Sequence, residues 1–160
     1  MKCYLKNKYN KIYIANDHAG IELKQYLIKY LQKYYDVVDL GTNEINKSVD
    51  YPDFGFKLAQ KVNEDINCLG IAICGSGNGI NIACNKNICI RSAILYNTKA
   101  AIYAKKHNDA NIIVFSSRFI NKYKNKRYLK KFLSTNFEGN RHQNRIDKIK
   151  ELELKSFKDK

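Results

Sequence analysis

The 160-residue sequence predicts an α/β fold: a doubly wound parallel sheet of about five strands with helices on both faces, forming one domain over residues 1–160. Three observations predict it. Short apolar runs rich in β-branched residues recur along the chain. Stretches whose apolar residues step by three and four separate them, and no linker, internal repeat or low-complexity segment interrupts the alternation.

After a polar, lysine-rich start, Ile12-Tyr13-Ile14-Ala15 forms a first strand, followed at once by Asn16-Asp17-His18-Ala19-Gly20. Leu23, Tyr26, Leu27, Tyr30, Leu31 and Tyr34 then trace the stripe of an amphipathic helix packed on a sheet. Residues 36–40 are the second strand, ended by Gly41, and residues 42–51 read as a polar loop. Pro52 suits the first turn of the next helix, whose buried side is Phe54, Leu58 and Val62. Leu69-Gly70-Ile71-Ala72-Ile73 is a buried strand ending at Cys74, and a short helix runs from the glycine turn that follows to about Lys86. Residues 90–95 are a strand, Ala100, Ala101 and Ala104 mark a small-residue helix ending near His107, and residues 111–115 are another strand. Leu129, Phe132 and Leu133 give a further helix its apolar side. A last helix starts at about Asn140, with Ile146, Ile149 and Leu152, and the charged tail from about 155 is expected to fray.

The chain is organised around Cys74-Gly75-Ser76-Gly77-Asn78-Gly79. Glycines alternating with small polar residues let successive backbone N–H groups face one concavity, and a helix N-terminus adds its positive dipole end. Such a nest stabilises a phosphate, a carboxylate or a developing enediolate. Beside those donors a thiol can ionise and serve as base or nucleophile. Position alone is equally consistent with a buried strand-end cysteine next to an ordinary turn. The turn lacks the Gly-Lys-Ser/Thr ending of a nucleotide phosphate loop, and as a dinucleotide fingerprint its last glycine comes too early, with no Asp or Glu between Ile80 and Asn108 to hold a ribose.

Asp17-His18 and Cys74 both follow strands, so the carboxyl edge of the sheet should bring them to one crevice. His107 follows a helix and belongs at the opposite edge. It is either a structural helix cap or a residue delivered to another subunit's crevice. Arg141 and Arg145 lie four apart on one helix face, where two guanidiniums can grip a phosphate or simply form a basic surface.

Lys and Arg total 29 against 15 Asp and Glu, a formal charge of +14, which favours anionic partners and is read mainly as solvated surface. The basic stretch from Arg118 to Lys131, with Tyr123 and Tyr128, leaves a nucleic-acid-binding module as a reading of another class, although no RNA- or DNA-binding signature accompanies it. Cys3, Cys68, Cys74, Cys84 and Cys89 show no C-x-x-C pairing, which points to a reducing compartment, and the gap between Cys84 and Cys89 argues against zinc. No apolar run is long enough to cross a bilayer, so a cytoplasmic protein is expected.

Asn16-Asp17-His18-Ala19-Gly20, Ile73-Cys74-Gly75-Ser76-Gly77-Asn78-Gly79, His107-Asn108-Asp109-Ala110-Asn111 and Gly139-Asn140-Arg141-His142-Gln143-Asn144-Arg145 together resemble the B-type ribose 5-phosphate isomerases, whose relatives include the galactose 6-phosphate isomerases. The resemblance covers roughly residues 11–149. It implies a Rossmann-like, metal-free and cofactor-free aldose–ketose isomerase of the pentose phosphate pathway. The enzyme would be dimeric or tetrameric with sites shared between subunits, which decides His107 for the two-subunit reading, and would need neither nucleic acid nor membrane. By resemblance Cys74 moves the proton between C2 and C1, Ser76 assists between O1 and O2, and the N–H groups of Gly75, Gly77, Asn78 and Gly79 hold the enediolate. Asp17 and His107 open the furanose ring; His18, Arg141, Arg145 and Arg118 bind phosphate; Tyr51 and Asn108 line the sugar site. Some relatives place a glutamate base after the glycine turn, where this chain has Ile80, so the cysteine version is the consistent one. A six-carbon substrate, allose or galactose 6-phosphate, is the alternative within the same chemistry.

Overall fold

The computed structural model describes residues 9–158. Cys3 lies outside them. Five strands, all parallel, form one sheet in the order β2-β1-β3-β5-β4: β1 (Lys11–Asn16), β2 (Asp36–Asp39), β3 (Cys68–Cys74), β4 (Ser92–Ile94) and β5 (Ile112–Ser116). The helices are α1 (Ile21–Leu31), α2 (Tyr51–Glu64), α3 (Asn78–Asn85), α4 (Thr98–Lys106), α5 (Lys122–Leu133) and α6 (Arg141–Lys158), with a 3-10 turn at His18–Gly20.

The alternation of strand faces builds two apolar layers. Ile12, Ile14, Leu69, Ile71, Ile73, Ile113 and Phe115 face α1, α4 and α5, where they meet Leu27, Leu31, Ala101, Leu129 and Phe132. Ala15, Ala72, Cys74, Ile112 and Val114 face α2 and α3, against Leu58, Ala59, Val62, Ile80 and Cys84. Each fully buried aliphatic side chain contributes about 1.5–3 kcal/mol, and β3, buried at every position, forms the centre of both layers.

From β1 the chain turns one way to β2 and then crosses back to β3, so the sheet divides between β1 and β3 at their carboxyl ends. Asp17 and Cys74 lie at that division. No helix among the described residues is long and apolar enough to cross a membrane.

Several expectations shift. The first helix ends at Leu31, and Tyr34 follows in a turn closed by its N–H to the Leu31 carbonyl at 2.9 Å. The strand expected over 90–95 shortens to Ser92–Ile94, because Cys89 takes a left-handed conformation (φ 62°) and the Ile90 N–H turns back to Asn87. α6 runs through Lys158, past the point from which the charged tail is expected to fray. The basic stretch has a packing role: Lys122, Lys126 and Lys130, one helical turn apart, lie 5.1–5.8 Å from the ring centres of Tyr26 and Tyr30, joining α5 to α1.

Candidate active site

Cys74 ends β3 with its side chain buried, 4 % exposed. The next residues turn sharply, and the Gly77 N–H reaches the Cys74 sulfur at 3.1 Å. Gly77 has φ +86°, a conformation that an L side chain strains, and it caps α3. Ser76 Oγ accepts the Asn78 N–H at 3.1 Å, which leaves the hydroxyl proton free to donate. The N–H groups of Gly79 and Ile80, in the first turn of α3, have no intrahelical partner. Ile80, fully buried in the core, carries no acid–base chemistry. Burial pushes Cys68 up to about 11 and Cys84 up to about 12, so neither offers a thiolate near neutral pH.

Around this turn stand four further residues. The Asp17 N–H bonds the Ile73 carbonyl at 3.2 Å, tying the residue after β1 to the end of β3. Asp17 Oδ1 accepts the Ala19 N–H at 2.9 Å, and burial raises its carboxyl pKa above the ordinary value, a shift opposed by that hydrogen bond, His18 and Arg118. His18 Nδ1 lies 3.3 Å from the backbone N of Val49. Tyr51, first residue of α2, lies over Gly79 so closely that a Cβ there would meet its ring at 2.5 Å. Arg118 follows β5; its N–H bonds the Gly75 carbonyl at 3.0 Å and its guanidinium lies beside Gly75. Two residues not singled out from sequence hold this arginine loop: Ser116 Oγ donates to the Gly75 carbonyl at 2.8 Å, and buried Asn125 donates to the Ser116 and Ile120 carbonyls at 2.9 Å each.

The remaining predicted residues form a second cluster. His107 caps α4, its ring stacked at 4.1 Å on His142 and at 4.5 Å on Tyr103. Arg141 Nε donates to His142 Nε2 at 3.4 Å, and Glu138 ties the start of α6 to Lys106 at 3.0 Å. Burial, then the charges of His107 and Arg141, lowers the pKa of His142. Arg91 donates to the Asn108 carbonyl at 3.0 Å, fixing the residue after His107. Arg141, Arg145 and Asn108 are exposed. Imidazole nitrogens of His107 and His142 and a Glu138 oxygen lie within 4.8 Å of one another. The near-parallel rings, however, aim their lone pairs side by side rather than at one metal.

This cluster lies at the amino edge of β5, where Ile112 pairs with Gly70, while Cys74 lies four residues on, at the carboxyl edge of β3. At about 3.3 Å per strand residue the sheet itself separates the two. One chain therefore presents a thiol, anion nest and carboxyl in one place, and an imidazole pair with two guanidiniums in another.

Comparisons with known proteins bear on this arrangement. The sequence pattern described as Ribose/Galactose Isomerase matches residues 12–149. A protein of Mycoplasma pneumoniae named "Probable ribose-5-phosphate isomerase B" is 45% identical over 139 residues, 86% of this chain and 91% of that protein. The solved structure of Clostridium thermocellum ribose-5-phosphate isomerase B superposes with a TM-score of 0.88 at 41% identity, covering 91% of this chain and 99% of the other. That of ribose-5-phosphate isomerase B from Mycoplasma genitalium, which holds bound ribulose-5-phosphate, superposes with a TM-score of 0.86 at 42% identity, covering 90% and 96%.

Proposed function

The chain belongs to the ribose/galactose isomerase family, and on that premise we propose how its own residues carry out the interconversion of ribose 5-phosphate and ribulose 5-phosphate. It is an aldose–ketose isomerase, and the observation that carries the mechanism is the Cys74 sulfur held 3.1 Å from the Gly77 N–H inside an anion nest.

With the sugar in its open form, the Cys74 thiolate takes the proton from C2. The electron pair moves into the C1–C2 bond and negative charge develops on the carbonyl oxygen. Of the backbone N–H groups from Gly75 to Gly79, that of Gly79, which has no intrahelical partner, stabilises that oxygen without reorganising, while those of Gly77 and Asn78 are engaged by the Cys74 sulfur and Ser76 Oγ and turn to it only as those contacts loosen. Ser76, whose oxygen is engaged by Asn78 and whose proton is not, passes a proton between O1 and O2. The Cys74 thiol then returns its proton to C1, and the thiolate is restored. Asp17, whose raised pKa keeps a proton available above the usual aspartate range, acts with His107 in opening the furanose ring.

His18, Arg118, Arg141 and Arg145 bind the phosphate, and Tyr51 and Asn108 line the sugar. Since the sheet separates His107, Asn108, Arg141 and Arg145 from Cys74 within one chain, a homodimer, or a tetramer built from such pairs, completes each site with the second cluster of the neighbouring subunit. The reaction needs no metal or cofactor. Cytoplasmic residence suits an enzyme whose described cysteines, Cys68, Cys74, Cys84 and Cys89, are all unpaired.

The test is the isomerisation rate of purified protein on ribose 5-phosphate beside allose and galactose 6-phosphates. Faster turnover of the five-carbon sugar is expected. Preference for a six-carbon sugar would overturn the substrate, and folded protein inert on all three would overturn the reading.

A further inference from the structure

Lys24 occupies a place that the periodicity of α1 reserves for an apolar side chain. It falls in the stripe with Leu27 and Leu31 and, like them, is fully buried. Its ammonium does not reach water. It donates to the Thr42 carbonyl at 2.8 Å and to Asn43 Oδ1 at 2.8 Å, and pairs with Asp39 Oδ2 at 2.9 Å. The Thr42 carbonyl is shared, since the buried Asn16 Nδ2 also donates to it at 3.2 Å.

These contacts all fall at the root of the segment joining β2 to α2. Side chains 43–48 of that segment are exposed, so no apolar packing holds it. Its far end carries Val49, against His18, and Tyr51, against Gly79. Taking an ammonium out of water is costly, and its three acceptors offset that cost only while all of them stay in place around it. All three belong to residues 39–43, so the buried charge holds the start of a polar loop in one conformation.

We propose that Lys24 is a positioning residue for the active site: its ammonium clamps the loop at Thr42 and Asn43, and thereby sets where His18 and Tyr51 stand beside the Cys74 turn. The inference rests on the isomerase reading above for its kinetic consequence, but the clamp can be measured without it.

The experiment compares full-length wild type, Lys24→Met and Asn43→Ala by melting temperature, backbone hydrogen exchange over residues 41–50, and kcat and KM for ribose 5-phosphate. Lys24→Met, which leaves Asp39 and the Thr42 carbonyl without their cation, is expected to lower the melting temperature, to speed exchange across the loop more than in the rest of the chain, and to raise KM about tenfold with a smaller change in kcat, because His18 and Tyr51 are displaced while the Cys74 turn is not. Asn43→Ala, which removes one exposed acceptor, should change the same quantities in the same direction by about threefold and serves as the test if Lys24→Met does not fold. Loop exchange and KM both within twofold of wild type in the folded variants would overturn the proposal. Wild type inert on sugar phosphates would instead defeat the isomerase reading, and the exchange comparison would still decide the clamp.

Discussion

The backbone N–H of Gly77 points at the sulfur of Cys74 from 3.1 Å. The contact spans three residues and closes the turn on itself, so the thiol and the donors of the α3 N-terminus share one small volume. The contact also fixes the direction in which the sulfur points, toward the donors of the turn.

Cys74→Ala should lower kcat on ribose 5-phosphate by about 10²–10⁴-fold, the usual contribution of a positioned base. Only a sulfur atom is removed from a buried site, so the variant should fold, and circular dichroism with gel filtration checks this. A folded Cys74→Ala that keeps wild-type kcat would remove the cysteine from the mechanism.

Gly79→Ala separates space from stability. The added methyl would lie 2.5 Å from the Tyr51 ring, but Tyr51 is 42 % exposed and can swing outward. Alanine is also the better helix former by about 1 kcal/mol. The melting temperature should hold or rise while KM increases severalfold, and Tyr51→Ala should give a similar KM.

For Asp17 the sign follows from burial. Its pKa is raised in the folded protein, so the native state binds more protons than the unfolded chain above the ordinary aspartate range. Stability contributed by this group is present at low pH and is lost as pH rises through the raised value. Asp17→Asn, which retains an acceptor for the Ala19 N–H, should therefore be at least as stable as wild type at neutral pH, with the difference disappearing under acid conditions, and should lose activity. Urea denaturation at several pH values measures this; a variant less stable at neutral pH than in acid, relative to wild type, would contradict it.

If each site combines clusters from two subunits, Cys74→Ala and His107→Ala should each be nearly inactive alone and partly active together. Random re-pairing of equal amounts gives hybrids with one doubly damaged and one intact site, restoring roughly a quarter of wild-type activity. Denaturing and refolding the mixture, then assaying it, tests the arrangement; no recovery from a mixture shown to contain hybrids would place both residues in the same subunit's site.

Periodicity and turn chemistry are local, and they alone determined much of this protein. The alternation of strands and helices, the stripe of α1, Pro52 in the first turn of α2 and the glycine turn after Cys74 are each written within a few residues of where they act. Lys24 was not singled out from the sequence, and nothing nearby in it named Thr42, Asn43 and Asp39 as its partners. Those depend on contacts between distant segments. So do the placing of β4 outside β5 at the sheet edge, the stacking of His107 on His142 across 35 residues, and the grip of Asn125 and Ser116 on the loop that carries Arg118. Only the tertiary structure decided them, because local preference specifies the shape of a segment, while its neighbours are chosen by which buried faces and polar groups the whole chain can satisfy together.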